Sequence, residues 1–264
     1  MTTTDRSLAL HTLRHGHGLP VLLVHGFPFD HRMWLDVAAA LPNGATVLAV
    51  DLPGAGQSPH GAEPASIEAA ADGVVAAARA AGVERAVVVG MSMGGYVALA
   101  AAERHPDFTV ALGLVDTKST ADTDEARANR LRIAEAVTSS ATVDAVLGMP
   151  GALLGATSKV ARPALTARLE EWIRSQRPDG VAWAQRAMAA RPDRTEVLAR
   201  FAGPVTVVVG EEDTLTPVEA AEHMVAAARG TSLVLVQSAG HMSAVEEPAA
   251  VANALGDLWA TAKG

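Results

Sequence analysis

The run Gly90-Met91-Ser92-Met93-Gly94-Gly95 places a serine between an unbroken apolar segment, Ala86 to Val89, and an alanine-rich stretch from Tyr96 to Arg104. Gly-x-Ser-x-Gly at the junction of a strand and a helix is an arrangement that makes serine a nucleophile. The chain must reverse within a few residues, and positions two before and two after the serine crowd each other, so glycine is required at 90 and 94. The turn lifts the hydroxyl out of the sheet edge, and the helix that follows aims its free N–H groups at the same place. A serine hydroxyl still needs a base within hydrogen-bond reach. Among nine histidines, His241 in Ser238-Ala239-Gly240-His241-Met242 is the best placed, in a loop between the last strand-like run and the final helix. The imidazole in turn needs a carboxylate to fix its tautomer. Asp213 follows the run Val205 to Val209 and is preferred; Asp116, which also ends a strand, is the competitor. Glu211 and Glu212 read as solvated loop acids.

An acyl-transfer site also needs N–H donors where negative charge develops on the carbonyl oxygen. Met93 supplies one by its position after the serine. Phe27, in His25-Gly26-Phe27-Pro28 after the run Val21 to Val24, supplies the second, because Pro28 has no N–H to give. His25 is read as a residue that holds this loop from beneath.

These loops must be carried by a regular frame. Apolar runs at 21–24, 47–50, 86–90, 110–115, 205–209 and 232–236 read as buried parallel strands, with a weaker one at 8–14. Helical patterns at 31–41, 66–81, 96–104 and 246–261 alternate with them. The predicted class is α/β, a mostly parallel central sheet with helices on both faces. Between residues 120 and 200 no buried strand occurs. Helical stretches near 122–139, 142–149, 160–175 and 180–190 read as an inserted lid. The expected layout is a first core part at 1–118, a helical cap at 119–200 and a second core part at 201–264. The cap should roof a modest apolar pocket. Candidate lining residues are Phe29, Trp34, Met149, Leu153, Trp172, Trp183 and Met242, and one of Arg127, Arg130, Arg132 or Arg162 could read a substrate carboxylate.

Composition narrows the remaining classes. The 264 residues carry a formal net charge of −8 and show no basic stripe, which speaks against a nucleic-acid partner. There is no cysteine, which removes thiolate metal sites and cysteine nucleophiles together. No His-Glu-x-x-His run occurs, and His15 and His17 share a turn, so no metal is expected. No Gly-x-Gly-x-x-Gly follows Val24, so no dinucleotide is expected either. No apolar run reaches the length of a membrane span, and the polar segment Met1 to Arg6 does not lead into a signal-peptide core. The expectation is a cytoplasmic protein with no membrane partner. Oligomeric state has no sequence signal.

The combination of elbow, late histidine and loop acid resembles the α/β-hydrolase family over about residues 19–262. The resemblance implies Ser92 as nucleophile, Asp213 and His241 as its partners, and Phe27 and Met93 as the oxyanion hole. Asp51-Leu52-Pro53-Gly54-Ala55-Gly56-Gln57-Ser58 is similar to the family's Asp-x-x-Gly-x-Gly-x-Ser loop, which is structural there. The run His25 to Trp34 resembles enol-lactonase-like, small carboxylesterase-like and cofactor-free haloperoxidase members. The implied activity is hydrolysis of a small to medium carboxylic ester or lactone by water through an acyl-enzyme, with no cofactor. Perhydrolysis, C–C or amide cleavage, and non-catalytic binding of a small molecule are the alternatives. Haloalkane dehalogenases carry aspartate at the elbow, so Ser92 argues against that reaction.

Overall fold

In the computed structural model, which describes residues 7–263, the apolar runs pair into one seven-stranded sheet. Its strands are β1 (Leu10–Arg14), β2 (Val21–Val24), β3 (Val47–Val50), β4 (Ala86–Met91), β5 (Thr109–Val115), β6 (Val205–Gly210) and β7 (Thr231–Val236). They lie in the order β1-β3-β2-β4-β5-β6-β7. Only β1 is antiparallel to its neighbour. β2, β3, β4 and β6 are buried along their whole length, which their unbroken valine-rich sequences require once helices cover both faces. β7 reads much the same in sequence but lies at the edge, where Leu233 and Leu235 stay exposed. The polar segment Met1 to Arg6 lies outside the described residues.

The core helices are α1 (Leu35–Ala40), α2 (Ile67–Ala80) and α3 (Met93–Arg104). Seven helices then separate β5 from β6: α4 (Asp124–Ser140), α5 (Asp144–Leu147), α6 (Pro150–Leu153), α7 (Ala156–Ala161), α8 (Ala164–Arg174), α9 (Pro178–Ala190) and α10 (Thr195–Arg200). The chain closes with α11 (Val218–Ala227), α12 (Ser243–Glu246) and α13 (Pro248–Lys263). Local chemistry sets several of these boundaries. Ser66 caps α2 by accepting from the Ala69 N–H, and Thr123 does the same for α4 through Ala126. Prolines open α6, α9 and α13 in their first turn.

Several expectations shift. The first strand starts at Leu10 and not at residue 8. The segment 31–41 divides into a 3-10 turn, His31–Trp34, and α1, because the Asp30 side chain accepts from the Arg32 N–H and tightens the first turn. The stretch 160–175 divides at Pro163, whose ring disallows a continuous helix. The final helix begins at Pro248, after the separate turn α12. α10 falls where no helix was expected. No helix among the described residues is long and apolar enough to cross a membrane.

Candidate active site

Parallel registry brings the C-terminal ends of β4, β5 and β6 side by side, with Met91 opposite Val115 and Val115 opposite Val208. Loops leaving those ends therefore share one rim, where open α/β sheets bind ligands. Ser92 leaves β4 at φ 52°, ψ −114°, a region an L-residue enters only when its surroundings compel it. Two glycines make the turn possible. A Cβ on Gly90 would lie 2.0 Å from the Gly94 carbonyl oxygen, and one on Gly94 would lie 2.1 Å from that of Val24. The Thr117 hydroxyl donates to the Ser92 carbonyl at 2.7 Å and braces the turn from β5.

Ser92 Oγ lies 2.8 Å from His241 Nε2, and His241 Nδ1 lies 2.8 Å from Asp213 Oδ2. Three polypeptide segments far apart in sequence thus form one line of hydrogen bonds. Asp213 is held in turn: its Oδ1 accepts from the N–H groups of Leu215 and Thr216, and its Oδ2 accepts from the Thr216 hydroxyl at 2.7 Å. Burial alone would raise the Asp213 pKa, but the bond and charge of His241 and the Thr216 donors hold it below the usual carboxylate range. Burial alone would likewise lower the His241 pKa. The Asp213 bond and charge, with the charges of Asp116 and Glu246, outweigh it and leave His241 more basic than a free imidazole.

Asp116 lies beside this line but does not reach the imidazole. Its Oδ1 accepts from the Gly210 N–H at 2.9 Å, and its Oδ2 from the Ser243 N–H at 3.0 Å and the Ser243 hydroxyl. Full burial and the charge of Asp213 push its pKa up to about 8. It ties β6 to the segment after His241. Glu212 stays partly exposed in its loop and accepts from the N–H and hydroxyl of Thr157 in α7.

Phe27 and Met93 are both buried, and among the described residues neither N–H donates to another group. His25 sits beneath Phe27 and is fully buried. The Leu52 N–H donates to its Nε2 at 2.9 Å, so the proton is on Nδ1, which donates to the Gly26 carbonyl. Burial lowers its pKa and keeps it neutral. The Asp51 carboxylate accepts from the N–H groups of His31 and Gln57 and from the His11 and His31 rings. Among the described residues, His11, His31 and Asp51 form the one group with metal-ligand proximity. The two imidazoles stack 3.6 Å apart and 17° from parallel. Each ring places one nitrogen 2.9 Å from an Asp51 carboxylate oxygen.

The expected pocket residues divide. Phe29 and Trp183 line an apolar cavity of about 20 Å³ that also touches Phe27 and Met93. Met149 and Leu153 line a cleft of about 290 Å³ on the cap side of Phe27. Trp34, which ends the 3-10 turn before α1, and Met242, which caps α12, are fully buried core residues and line neither. Trp172 packs edge-on against Phe29, beneath the guanidinium of Arg168, and stands behind the lining. Of the four arginines, Arg162 is committed to the Glu246 carbonyl, Ser158 and Glu247, and Arg132 bonds Asn129. Arg127 is exposed, and Arg130 lines the larger cleft.

One residue escaped the sequence reading. Glu246 is fully buried, and its Oε1 accepts from the N–H groups of Gly240 (2.9 Å) and Met242 (3.2 Å), the two neighbours of His241. Its Oε2 accepts from the N–H of Gly155 at the start of α7 (2.9 Å). One carboxyl group therefore holds the histidine loop and the inserted helices together. Its only sequence signal is an acid shortly after a candidate catalytic histidine.

Known proteins are similar to this chain along most of its length. The pattern of the alpha/beta hydrolase fold matches residues 20–248. A pimeloyl-[acyl-carrier protein] methyl ester esterase of Neisseria meningitidis serogroup C is 33% identical over 235 residues, covering 84% of this chain and 86% of its own. The structure of a thermophilic esterase from Thermogutta terrifontis, with malate bound, superposes with a TM-score of 0.92 at 34% identity, covering 97% of this chain and 94% of that one. The enol-lactonase from Burkholderia xenovorans LB400 superposes with a TM-score of 0.84 at 25% identity, covering 96% and 95%. With its strand order, its elbow and these relatives taken together, the chain belongs to the alpha/beta hydrolase fold family.

Proposed function

We propose that this protein hydrolyses a small carboxylic ester or lactone through an acyl-enzyme on Ser92. The observation that carries the reading is the continuous line from Ser92 Oγ to His241 to Asp213, 2.8 Å at each link; the Phe27 and Met93 N–H groups, which have no partner among the described residues, support it. Esterases and an enol-lactonase among the relatives support ester cleavage as the reaction class.

In this mechanism His241 Nε2 takes the Ser92 proton as Oγ attacks the carbonyl carbon. Asp213 holds the imidazole in the tautomer with its proton on Nδ1 and stabilises the imidazolium. The Phe27 and Met93 N–H groups donate to the developing oxyanion. Collapse of the tetrahedral intermediate breaks the C–O bond, and His241 returns the proton to the leaving oxygen. Water, deprotonated by His241, then attacks the acyl-enzyme and releases the acid. With a lactone, the leaving oxygen stays on the acyl chain and a hydroxy acid is released.

The narrow apolar cavity against Phe27 and Met93 has room for about one water-sized group as folded, which favours short acyl chains on that side. The test is steady-state hydrolysis of p-nitrophenyl acetate by wild type and Ser92→Ala, with mass spectrometry after a fluorophosphonate. The expected result is Ser92-dependent turnover and one adduct on Ser92. Equal turnover in the variant, or an adduct elsewhere, overturns the assignment.

A further inference from the structure

The cleft of about 290 Å³ lies between Phe27 and Leu215 of the core and helices α4, α6 and α9 of the insertion. Its wall is apolar except for Asn129, Arg130 and Gln185. Behind that wall the charges do not balance. The buried carboxylate of Asp122 meets Arg130 Nε at 2.6 Å, Arg191 Nη1 at 2.8 Å and Lys118 Nζ at 3.6 Å. Three cations share one anion. Glu68 and Glu103 pair with Arg194. Burial and the charge of Arg191 lower the Lys118 pKa, as expected beside uncompensated positive charge.

Of these cations, Arg191 is buried against the Tyr96 ring, 3.9 Å from its centre, and its position is fixed. Arg130 is the one that reaches the cleft, with 22% of its side chain exposed. Only its Nε is firmly used. Nη1 has two long contacts, to Gln185 Oε1 at 3.4 Å and Met188 Sδ at 3.3 Å, and Nη2 donates to nothing among the described residues. Gln185 also lines the cleft, and its Nε2 donates to nothing among the described residues. A guanidinium fork and an amide N–H beside it form a donor set that suits a carboxylate.

We propose that Arg130 and Gln185 form a carboxylate-binding subsite, and that the substrate is an ester or lactone carrying a free carboxylate, such as a half-ester of a dicarboxylic acid. This subsite rests on the hydrolase reading of Ser92. The two excess positive charges attract the anion into the cleft, and the Arg130 fork orients it. The ester end is then presented to Ser92, while the neutral acyl or alcohol part lies against Met149 and Leu153.

The test compares monomethyl succinate, glutarate and adipate with their amide-terminated, uncharged counterparts, by methanol release at low salt. Wild type is expected to prefer at least one carboxylate by about tenfold or more in kcat/KM, mostly through KM, and to lose part of that preference as salt rises. Arg130→Gln should bring the ratio near one, Gln185→Leu should reduce it, and Arg130→Lys should restore only part. Arg127→Gln, which removes an exposed charge on the same helix, should leave the ratio unchanged. Arg191 and Lys118 still serve Asp122 in Arg130→Gln, so the fold is expected to survive. Equal rates on carboxylate and amide substrates, with p-nitrophenyl acetate still cleaved by Ser92, overturn the subsite and leave the hydrolase reading standing. A preference that survives Arg130→Gln overturns it equally. Should no ester be cleaved, calorimetric titration with glutarate decides. Arg130-dependent binding upholds the subsite and faults the hydrolase reading, whereas no binding overturns the subsite.

Discussion

Replacing Glu246 tests whether one buried carboxyl couples the insertion to the histidine loop. In Glu246→Ala, the N–H groups of Gly155, Gly240 and Met242 lose their acceptor in a region that solvent does not reach. Each orphaned buried donor costs about 1–3 kcal/mol, so the three together cost roughly 3–6 kcal/mol, allowing for partial relaxation. For a chain of this size that lowers Tm by about 10 °C or more. Catalysis should fall separately. Gly240 and Met242 flank His241, and a displacement of about 1 Å at a reacting group costs on the order of a hundredfold. Glu246→Gln separates the two effects. Its amide oxygen can keep accepting from Gly240 and Met242, while its NH2 then faces the Gly155 N–H and repels it. The glutamine variant should therefore retain most of kcat on p-nitrophenyl acetate and lose its grip on α7, seen as faster amide hydrogen exchange at residues 155–161. Thermal melts, steady-state kinetics and hydrogen exchange on the three proteins are the assay. An alanine variant within about 1 kcal/mol of wild type and with unchanged kcat would refute the coupling.

Ser92→Ala should lower kcat on esters by about 10⁴-fold or more without lowering Tm appreciably, since the serine hydroxyl does little to hold the fold. The raised His241 pKa sets the sign of the pH profile: the base must be neutral, so kcat/KM should rise with pH through an apparent pKa above the ordinary value of about 6.5. Asp213→Asn removes the bond and charge that raise it, so its acid limb should move to lower pH while kcat drops by about 10⁴-fold; a limb that stays in place contradicts the reading. Gly94→Ala drives a Cβ to 2.1 Å from the Val24 carbonyl and should destabilise the protein by roughly 3 kcal/mol or more, read by urea denaturation.

Much of the frame was legible in the residues alone. Unbroken runs such as Val21–Val24 and Val205–Val209 are four and five residues long, valine-rich and without a charge, so each leaves few alternatives to a strand buried on both faces. The elbow was legible for a local reason: a serine between glycines at a strand–helix junction describes a backbone conformation, and the backbone needs no distant partner to require those glycines. Boundaries inside the insertion were less legible. Its short helices α5, α6, α7 and α10 are held by packing and by carboxyls from elsewhere, such as Glu212 on Thr157, and not by an amphipathic period of their own.

What composition and spacing determined, then, was the class of fold, the order of its strands along the chain and a short list of groups with the right chemistry. Choosing among those groups was a matter of distance. Asp116 and Asp213 both end strands and look alike in sequence, yet one points to Gly210 and Ser243 and the other to His241, because the loops after β5 and β6 turn differently. Arg162 and Arg130 both lie in the insertion, yet the first is committed to the Glu246 carbonyl while the second keeps its Nη2 without a partner among the described residues. Hydrogen bonds and ion pairs between residues a hundred positions apart leave no periodicity and no local motif. They exist only once the chain has folded and brought its loops to a common rim.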